Sequence, residues 1–204
     1  MLYHFILHIL SIFESIYSLV YKTMKNSSSN SFKHGWTYDV FVSFYGDDTR
    51  YGFTGNLYKT LCQKGINTFK DDIKLKKGEE ISSDLLQAID ESRIAIIVFS
   101  ENYASSTWCL DELVRIMECK EEKGQLVRIV FFYVDPSNVR HQRESFARSM
   151  AKHEENLKIS KEKISKWRSA LSRAANLSGW HFKNGYKYIY SLLAIFCFKS
   201  FIIY

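Results

Sequence analysis

The side chains best suited to chemistry in this sequence are Trp108 and Glu112, which follow a continuous apolar run at residues 94–99. Such a run is typical of a strand buried on both faces of a parallel sheet. Residues four apart on a helix lie on the same side, one turn from each other. The pair would therefore place a flat aromatic surface and a carboxylate near the carboxyl end of a strand, which is where open α/β sheets bind ligands.

The helix that would carry Glu112 is predicted from an apolar stripe formed by Leu110, Leu113, Val114 and Met117. Candidate N-cap residues precede this stripe at Ser105, Ser106 and Thr107. Asp111 and Glu112 would then lie near the first turn, where the helix macrodipole favours an ionised carboxylate. Glu112 points away from the apolar stripe. A solvated helix face, which is the commoner role of a lone glutamate, is therefore the alternative.

Predicted strands and helices alternate from Tyr38 onward. Strands are expected at residues 38–44, 65–69, 94–99 and 126–134, and helices at residues 53–61, 81–89, 107–123 and 144–176. This alternation with short loops predicts βαβ units. The fold class is therefore expected to be α/β, with a flavodoxin-like, doubly wound, mostly parallel five-stranded sheet and helices on both faces.

Apolar segments flank the predicted domain. Residues 1–35 are expected to be an apolar N-terminal extension with a Ser/Asn linker, residues 36–182 the folded domain, and residues 183–204 an apolar C-terminal extension outside it. His4, His8 and Glu14 interrupt the first segment, which makes it a poor secretory signal and a marginal membrane span. An abrupt shift of composition in the last segment suggests translated intron sequence as one hypothesis. We expect residues 36–182 to fold alone.

Charge and cysteine spacing exclude several classes of function. Of the formal net charge of +6, residues 141–187 contribute +7, with 11 Lys/Arg and 4 Asp/Glu, and the rest of the chain sums to −1. This segment is predicted to be helical and has neither an interleaved aromatic platform nor an RNA- or DNA-binding signature, so a solvated helix face is favoured over a nucleic-acid interface. The four cysteines are too widely spaced for a disulfide framework or a zinc site, and they indicate reduced thiols in a cytosolic protein. Neither GxxxxGK[ST] nor GxGxxG is present.

Five ordered blocks of the sequence resemble the TIR (Toll/interleukin-1 receptor) domain of plant immune receptors. They are YDVFVSFYGDDTR at 38–50, GINTF leading to GE at 65–79, FSENYA leading to WCLDEL at 99–113, FYVDPSNVR at 132–140 and AANLSGW at 174–180. The resemblance covers about residues 36–182. It implies the domain found at the N-terminus of disease-resistance proteins, and we expect a TIR-only chain because no ATPase module or leucine-rich repeat array is present.

The resemblance implies an enzyme that cleaves NAD+ into nicotinamide and ADP-ribose or a cyclic relative, with NAD+ as substrate and no cofactor. Glu112 occupies the family's catalytic position, and a carboxylate suits the oxocarbenium-like transition state of such a cleavage. Trp108 could stack on a ring of the dinucleotide or simply pack. Glu80 aligns with a further nucleotide contact. The family's substrate-binding loop falls on Asp47, Asp48, Thr49, Arg50, Tyr51 and Gly52.

This loop has two interpretations. Backbone N–H groups at the start of a helix, together with the guanidinium of Arg50, could bind the phosphates of the substrate. Alternatively, Asp47 or Asp48 is an N-cap and Arg50 forms a surface ion pair. Plant members usually carry Arg-Gly-Glu-Asp after the first strand, whereas this chain carries Tyr45-Gly46-Asp47-Asp48. The change removes a positive charge close to the expected phosphate site.

Rival functions follow from these departures. A Ser-His pair that supports self-association in many members is replaced by Gly55-Asn56. Both departures favour a non-catalytic TIR adaptor that acts through TIR–TIR binding, whereas retention of Glu112 favours the enzyme. A phosphoacceptor receiver domain is a weaker rival, because Ser100 stands where its aspartate is needed. We expect NAD+ and other TIR domains as partners, plant immune signalling as the context, and a cytoplasmic location with nuclear presence left open.

Overall fold

The chain folds around a parallel sheet of five strands, in a computed structural model that describes residues 2–27, 35–70 and 82–182. The strands stand in the order β2-β1-β3-β4-β5, and all neighbouring pairs are parallel. This order is that of flavodoxin-like sheets, which confirms the predicted fold class. The strands are β1 Tyr38–Phe44, β2 Thr68–Lys70, β3 Ser92–Phe99, β4 Leu126–Phe132 and β5 Gly179–Phe182.

Within the described residues, eight α-helices and one 3₁₀ turn connect and cover the strands. The helices are α1 Leu2–Ser27, α2 Gly46–Thr49, α3 Phe53–Gln63, α4 Ser83–Asp90, α5 Thr107–Glu122, α6 Pro136–Arg140, α7 Glu144–Glu155 and α8 Lys161–Ala175. The 3₁₀ turn, Tyr103–Ser105, lies between β3 and α5. It therefore connects the carboxyl end of the central strand to the helix predicted to carry the catalytic glutamate.

The central strand β3 shows why helices cover both faces of the sheet. Successive strand residues point to opposite faces, and those of β3 from Ile94 to Phe99 are at most 1% exposed. On one face, Phe99 packs in a cluster with side chains of α4, α5, α7 and α8. On the other face, Val98 packs in a cluster with side chains of α3 and α1. Both faces are thus closed, as the continuous apolar run predicts.

Several predicted elements have different bounds in the structure; the strand predicted at 65–69, for example, is β2 Thr68–Lys70. The strand predicted at 126–134 stops at Phe132, because Tyr133 adopts a φ of 56°, in the left-handed region. The helix predicted over 144–176 is instead two helices, α7 and α8. Leu157 lies between them and is 99% exposed, and the Ser160 side chain caps α8 by accepting a hydrogen bond from the Lys163 N–H at 3.1 Å. The prediction of one continuous helix is therefore wrong.

The N-terminal segment contributes to the packing of the sheet. Helix α1 buries Ile12, Phe13, Ile16 and Val20 in the cluster that also holds the α3 side chains. The rings of Phe13 and Phe53 lie 5.3 Å apart. The segment predicted as an extension thus includes a helix that packs on the domain, while the domain boundaries themselves stay a prediction. Among the described residues, no helix is both long and apolar enough to cross a membrane.

Several predictions lie outside the described residues. These include Glu80, the charged loop that contains it, the linker residues 28–34 and the predicted C-terminal extension at 183–204. Glu80 therefore stays a predicted nucleotide contact.

Candidate functional site

The candidate site lies at the carboxyl ends of β1 and β3, and its two sides follow these two strands. We call residues 45–52, which follow β1, the loop side, and residues 100–112, which follow β3, the helix side. The two strands are neighbours in the sheet, with Phe44 opposite Val98. The carboxyl ends of adjacent parallel strands form the crevice in which α/β sheets bind ligands.

Helix α5 places Glu112 in a buried position. The helix starts after Ser106, whose hydroxyl accepts a hydrogen bond from the Cys109 N–H at 3.3 Å, as predicted for an N-cap. Leu110, Leu113, Ile116 and Met117 pack into the core. Glu112 is only 4% exposed, so a solvated helix face is wrong as an explanation for this residue. Burial of a carboxylate is costly without compensating interactions, which makes Glu112 unusual for a surface helix.

The predicted position of the carboxylates in α5 needs one correction. Helix α5 begins at Thr107, so Asp111 and Glu112 lie in its second turn and not near its first. The macrodipole effect falls off within the first turn, and it therefore contributes little to the charge state of either residue. Neighbouring side chains have to supply the polar environment instead.

Tyr103 links the ends of β1 and α5 through its hydroxyl group. The side chain is fully buried, and its hydroxyl lies 2.8 Å from Ser43 Oγ and 3.0 Å from the carbonyl oxygen of Cys109. Burial raises the pKa of the Tyr103 phenol well above its ordinary value, and the electrostatic influence of nearby Cys109 and Glu112 raises it further. The phenol is therefore neutral, and its proton is available to the Cys109 carbonyl.

Two groups of polar contacts fix the outer face of α5. Asp111 accepts hydrogen bonds from Trp167 Nε1 and Lys163 Nζ, both at 2.8 Å, which joins α5 to α8. Asp90 at the end of α4 forms a bidentate ion pair with Arg115 of α5, at 2.5 and 2.6 Å. The Arg115 guanidinium, chiefly, holds the pKa of the Asp90 carboxyl well below its usual range.

On the loop side, Asp48 connects to the helix side. Its two carboxylate oxygens accept hydrogen bonds from the backbone N–H and the side-chain amide of Asn102, each at 2.9 Å. Asp47 accepts a long contact from the Tyr45 hydroxyl at 3.5 Å. The structure therefore shows Asp48 in a contact between the two sides. Neither aspartate caps α2, because its N-cap position is Tyr45, whose side chain forms no capping hydrogen bond.

Many hydrogen-bonding groups of the loop side have partners within the protein. The N–H groups of Asp48, Arg50 and Gly52 donate to the carbonyls of Tyr45, Gly46 and Thr49 at 3.0–3.2 Å. Thr49 is buried, and its hydroxyl accepts a hydrogen bond from the Thr54 hydroxyl at 2.8 Å. These contacts give Thr49 and the three amides structural roles. A nucleotide would have to be bound by the other groups of this loop.

Arg50 is the cation that the loop side offers. Its guanidinium carbon lies 5.2 Å from the centre of the Phe44 ring, at the end of β1. A Cβ atom at Gly46 would lie 2.8 Å from Arg50 Nη2, so glycine at this position leaves room for the guanidinium. Tyr51 is 82% exposed, and Gly52 is the N-cap residue of α3. The predicted loop therefore combines a positioned cation with an exposed aromatic ring.

Gly55 allows α2 and α3 to approach closely. A Cβ atom at this position would lie 2.3 Å from the carbonyl oxygen of Arg50, closer than real contacts allow. Many family members carry the Ser-His pair where this chain carries Gly55-Asn56. At Gly55, the backbone of this protein leaves no room for a side chain. Trp108 is partly exposed one turn before Glu112, consistent with either of its two predicted roles.

Sequence reasoning missed the contacts that hold the two sides together. Ser43 and Tyr103 are 60 residues apart, and Asp48 and Asn102 are 54 apart. Asn102 and Tyr103 belong to a block that resembles a known family, but nothing in the pattern assigns them partners. One signal in the sequence could have suggested these contacts. Polar residues follow both strands, and the carboxyl ends of parallel strands lie at the same edge of the sheet.

Comparison with known proteins identifies the family. The family model of the TIR domain matches residues 37–188, which is most of the chain. The chain belongs to the TIR family. This confirms the resemblance seen in the five sequence blocks. The match begins after α1, so that helix lies outside the part of the chain that the family model covers.

The relatives of this TIR domain are plant disease-resistance proteins. It is 55% identical over 161 residues to Disease resistance protein RPV1 of Vitis rotundifolia and 54% identical over 156 residues to TMV resistance protein N of Nicotiana glutinosa. These alignments cover 79% and 76% of this chain but 11% and 13% of the two relatives. The chain thus spans only about a tenth of the length of the curated relatives that it matches.

A solved structure shows the same fold. The TIR domains of the activated Roq1 resistosome, which directly recognizes the pathogen effector XopQ, match with a TM-score of 0.68 at 48% identity. The match covers 82% of this chain and 100% of that chain. The sheet and its helices are therefore those of a plant TIR domain.

Proposed function

We propose that this TIR domain hydrolyses NAD+ at the bond between nicotinamide and ribose, as part of plant innate immune signalling. The observation that supports the proposal most is the burial of Glu112, which is 4% exposed beside the carboxyl edge of the sheet, the edge at which α/β folds commonly bind ligands. Asp90, Asp111 and Tyr103 hold this helix in place, so the Glu112 carboxylate in its ionised form would be a preorganised negative charge.

The chemistry needs such a charge. The nicotinamide ring is already cationic, so the glycosidic electron pair can pass to its nitrogen without an acid. The ribose then develops oxocarbenium character, which a nearby carboxylate stabilises more strongly in a water-poor site than in water. Water adds to the ribose carbon and loses a proton, giving ADP-ribose, and attack by a group of the same molecule would give a cyclic product. No cofactor is required.

The loop side supplies a place for the rest of the substrate. Arg50 offers planar donors suited to a phosphate, and the exposed ring of Tyr51 offers a surface for stacking. Asp47 and Asp48 lie in the same loop as Arg50, and Asp48 is engaged by Asn102. Arg50 therefore has the clearest binding role in this proposal, and Glu80 stays a further predicted contact. Thr49 and the Gly52 amide are engaged within the protein, so we assign them to the shape of the loop.

The test is nicotinamide release from NAD+ by the purified full chain. Glu112→Gln keeps the shape of the side chain but removes its charge, and we expect the rate to fall by about 10²-fold or more, as for loss of one preorganised electrostatic group. Glu122→Gln is the matched control, because Glu122 is exposed on the same helix. Equal rates for the wild type and Glu112→Gln would contradict the proposal.

The second candidate function is a non-catalytic adaptor that acts by TIR–TIR binding. It is favoured by Tyr45 and by Gly55, whose backbone contact leaves no room for a larger side chain. TIR domains belong to the activated Roq1 resistosome, so other TIR domains are proposed partners in either case. The adaptor predicts self-association that Glu112→Gln leaves unchanged, without NAD+ cleavage. We propose a cytoplasmic location for both functions.

A further inference from the structure

The 3₁₀ turn before α5 is an irregular segment held from several directions. Asn102 donates to Asp48 on the loop side, and the Ala104 carbonyl lies 2.9 Å from His153 Nε2 on α7. Between them, the Tyr103 ring packs edge-on against Phe99 with centroids 4.9 Å apart. Irregular backbone seldom has so many tertiary contacts, since loops are usually the mobile part of a fold.

Within this turn, the Tyr103 hydroxyl makes a directional chain of hydrogen bonds. A phenol has one proton, and Tyr103 donates it to the carbonyl oxygen of Cys109 at 3.0 Å. The Ser43 hydroxyl, 2.8 Å away, therefore donates to the phenol oxygen. The chain runs from the carboxyl end of β1, through the buried phenol, to the first turn of α5. Bonds in such a chain strengthen each other in a low-dielectric interior.

The last acceptor in this series of hydrogen bonds, the Cys109 carbonyl, belongs to the same helix as Glu112, the candidate catalytic residue. The Cys109 carbonyl lies three residues before Glu112, on the turn that leads to it. The Cys109 thiol also donates to the Phe44 carbonyl at 3.5 Å, a second contact between the same turn and the end of β1. The charge of Glu112 acts on the Tyr103 phenol and stabilises its neutral, proton-donating form.

We propose that Tyr103 is a positioning residue, which through Ser43 and Cys109 holds the first turn of α5 against β1 and so sets the place of Glu112 in the site. This inference rests on the proposed function, because it assigns Tyr103 a role in the reaction of Glu112. Tyr103 itself is fully buried and is not expected to touch the substrate. Small displacements of a reacting group are expensive in rate, about 10²-fold for 1 Å.

The test uses the full chain and the variants Tyr103→Phe, Ser43→Ala and the double variant. Tyr103→Phe removes one oxygen and leaves the ring against Phe99. We expect kcat for NAD+ cleavage to fall about tenfold, with KM within about twofold of the wild type, because the substrate contacts lie elsewhere. Ser43→Ala should lower kcat in the same way. The double variant should be no slower than Tyr103→Phe, because both substitutions break one chain.

The matched control is Tyr38→Phe, which removes a phenolic hydroxyl at the opposite end of β1. It should leave kcat and KM unchanged. A purely structural role for Tyr103 would lower the melting temperature while leaving kcat unchanged at temperatures where the variant is folded. That result overturns the inference, as does a double variant whose loss is the product of the two single losses.

A second readout does not depend on activity. Amide hydrogen exchange in residues 107–113 should be faster in Tyr103→Phe and unchanged in Tyr38→Phe, because the first turn of α5 loses its tie to β1. Unchanged exchange in both variants overturns the inference. A wild type that cleaves no NAD+ contradicts the proposed function, and the exchange result then decides separately whether Tyr103 holds α5. An active wild type with an unaffected Tyr103→Phe contradicts only the role of Tyr103.

Discussion

The helix side and the loop side of the candidate site are held in different ways. The helix side is fixed by buried or partly buried polar contacts to β1, α4 and α8, through Tyr103, Asp90 and Asp111. The loop side consists of the short helix α2 and its flanking residues, which pack on α3, and α3 in turn packs against α1. All the elements that fix the helix side lie within the TIR match, whereas α1 lies outside it. The half of the site that carries Glu112 is thus held entirely by elements of the family domain.

The largest expected effect concerns α1. Ile16 is 1% exposed and packs in the cluster that includes Phe53 and Leu57 of α3. Ile16→Ala should lower the free energy of unfolding by about 2–5 kcal/mol, the range for truncating a buried aliphatic side chain. Chemical denaturation followed by circular dichroism measures this, with the exposed Ser11→Ala as control. An unchanged unfolding midpoint would instead favour the prediction that residues 36–182 fold without help from α1.

Gly55 should show the next largest effect, confined to the loop side. Gly55→Ala forces a Cβ atom against the Arg50 carbonyl, so α2 and α3 must separate, at a cost of about 1–3 kcal/mol typical of overpacking. KM for NAD+ should rise, because Arg50 moves with its carbonyl. Gly35→Ala is the control, since a Cβ atom at that position would meet no heavy atom within 4 Å. Equal unfolding free energies for the two variants would contradict the close approach.

On the helix side, the Asp90 ion pair gives a pH-dependent prediction. The pKa of Asp90 is lower in the folded protein than in the unfolded chain. The ionised carboxylate therefore stabilises the fold at pH values above the pKa of the unfolded chain, and this stabilisation is lost as the pH falls through the pKa of the folded protein. Asp90→Asn should therefore reduce stability by about 1.5 kcal/mol at neutral pH, and by less below about pH 4. Denaturation curves at several pH values test this against Glu155→Gln, which changes an exposed charge. A stability loss in Asp90→Asn that increases as the pH is lowered would contradict this prediction.

The contact between the two sides should have the smallest effect on stability. Asp48→Ala removes two exposed hydrogen bonds to Asn102, which should reduce stability by about 1 kcal/mol or less. Its effect on KM for NAD+ should exceed that of Asp47→Ala, because Asp48 hydrogen-bonds to Asn102 before α5, whereas Asp47 contacts Tyr45 of its own loop. Steady-state kinetics of the two variants side by side provide the measurement. A larger KM effect for Asp47→Ala would show that the tie is unimportant for binding.

The sequence was sufficient for the fold and for the location of Glu112. An apolar run at 94–99 and a 3.6-residue stripe behind it are strong periodic signals, and the parallel order follows from alternation of strands and helices. The burial of Glu112 was not predictable in this way. The stripe places it on the polar side of α5, and its burial arises from the elements that meet at this edge, including Tyr103 of the preceding turn.

Other misses have the same origin. The break between α7 and α8 contains no proline or glycine in residues 156–160, so local sequence gives no strong stop signal there. The Asp48 contact with Asn102 joins residues on different strand ends, and only the three-dimensional register brings them together. Local patterns predict elements reliably, but the partners of single polar side chains depend on packing between elements.

The proposed reaction depends most on the negative charge of Glu112, and one ratio measures that dependence. This is the ratio of kcat for nicotinamide release between the wild type and Glu112→Gln, measured on the full chain at saturating NAD+ beside Glu122→Gln. We expect a ratio of about 10² or more for Glu112→Gln and about 1 for the control. A ratio near 1 for Glu112→Gln in an active enzyme would contradict a catalytic role for this carboxylate.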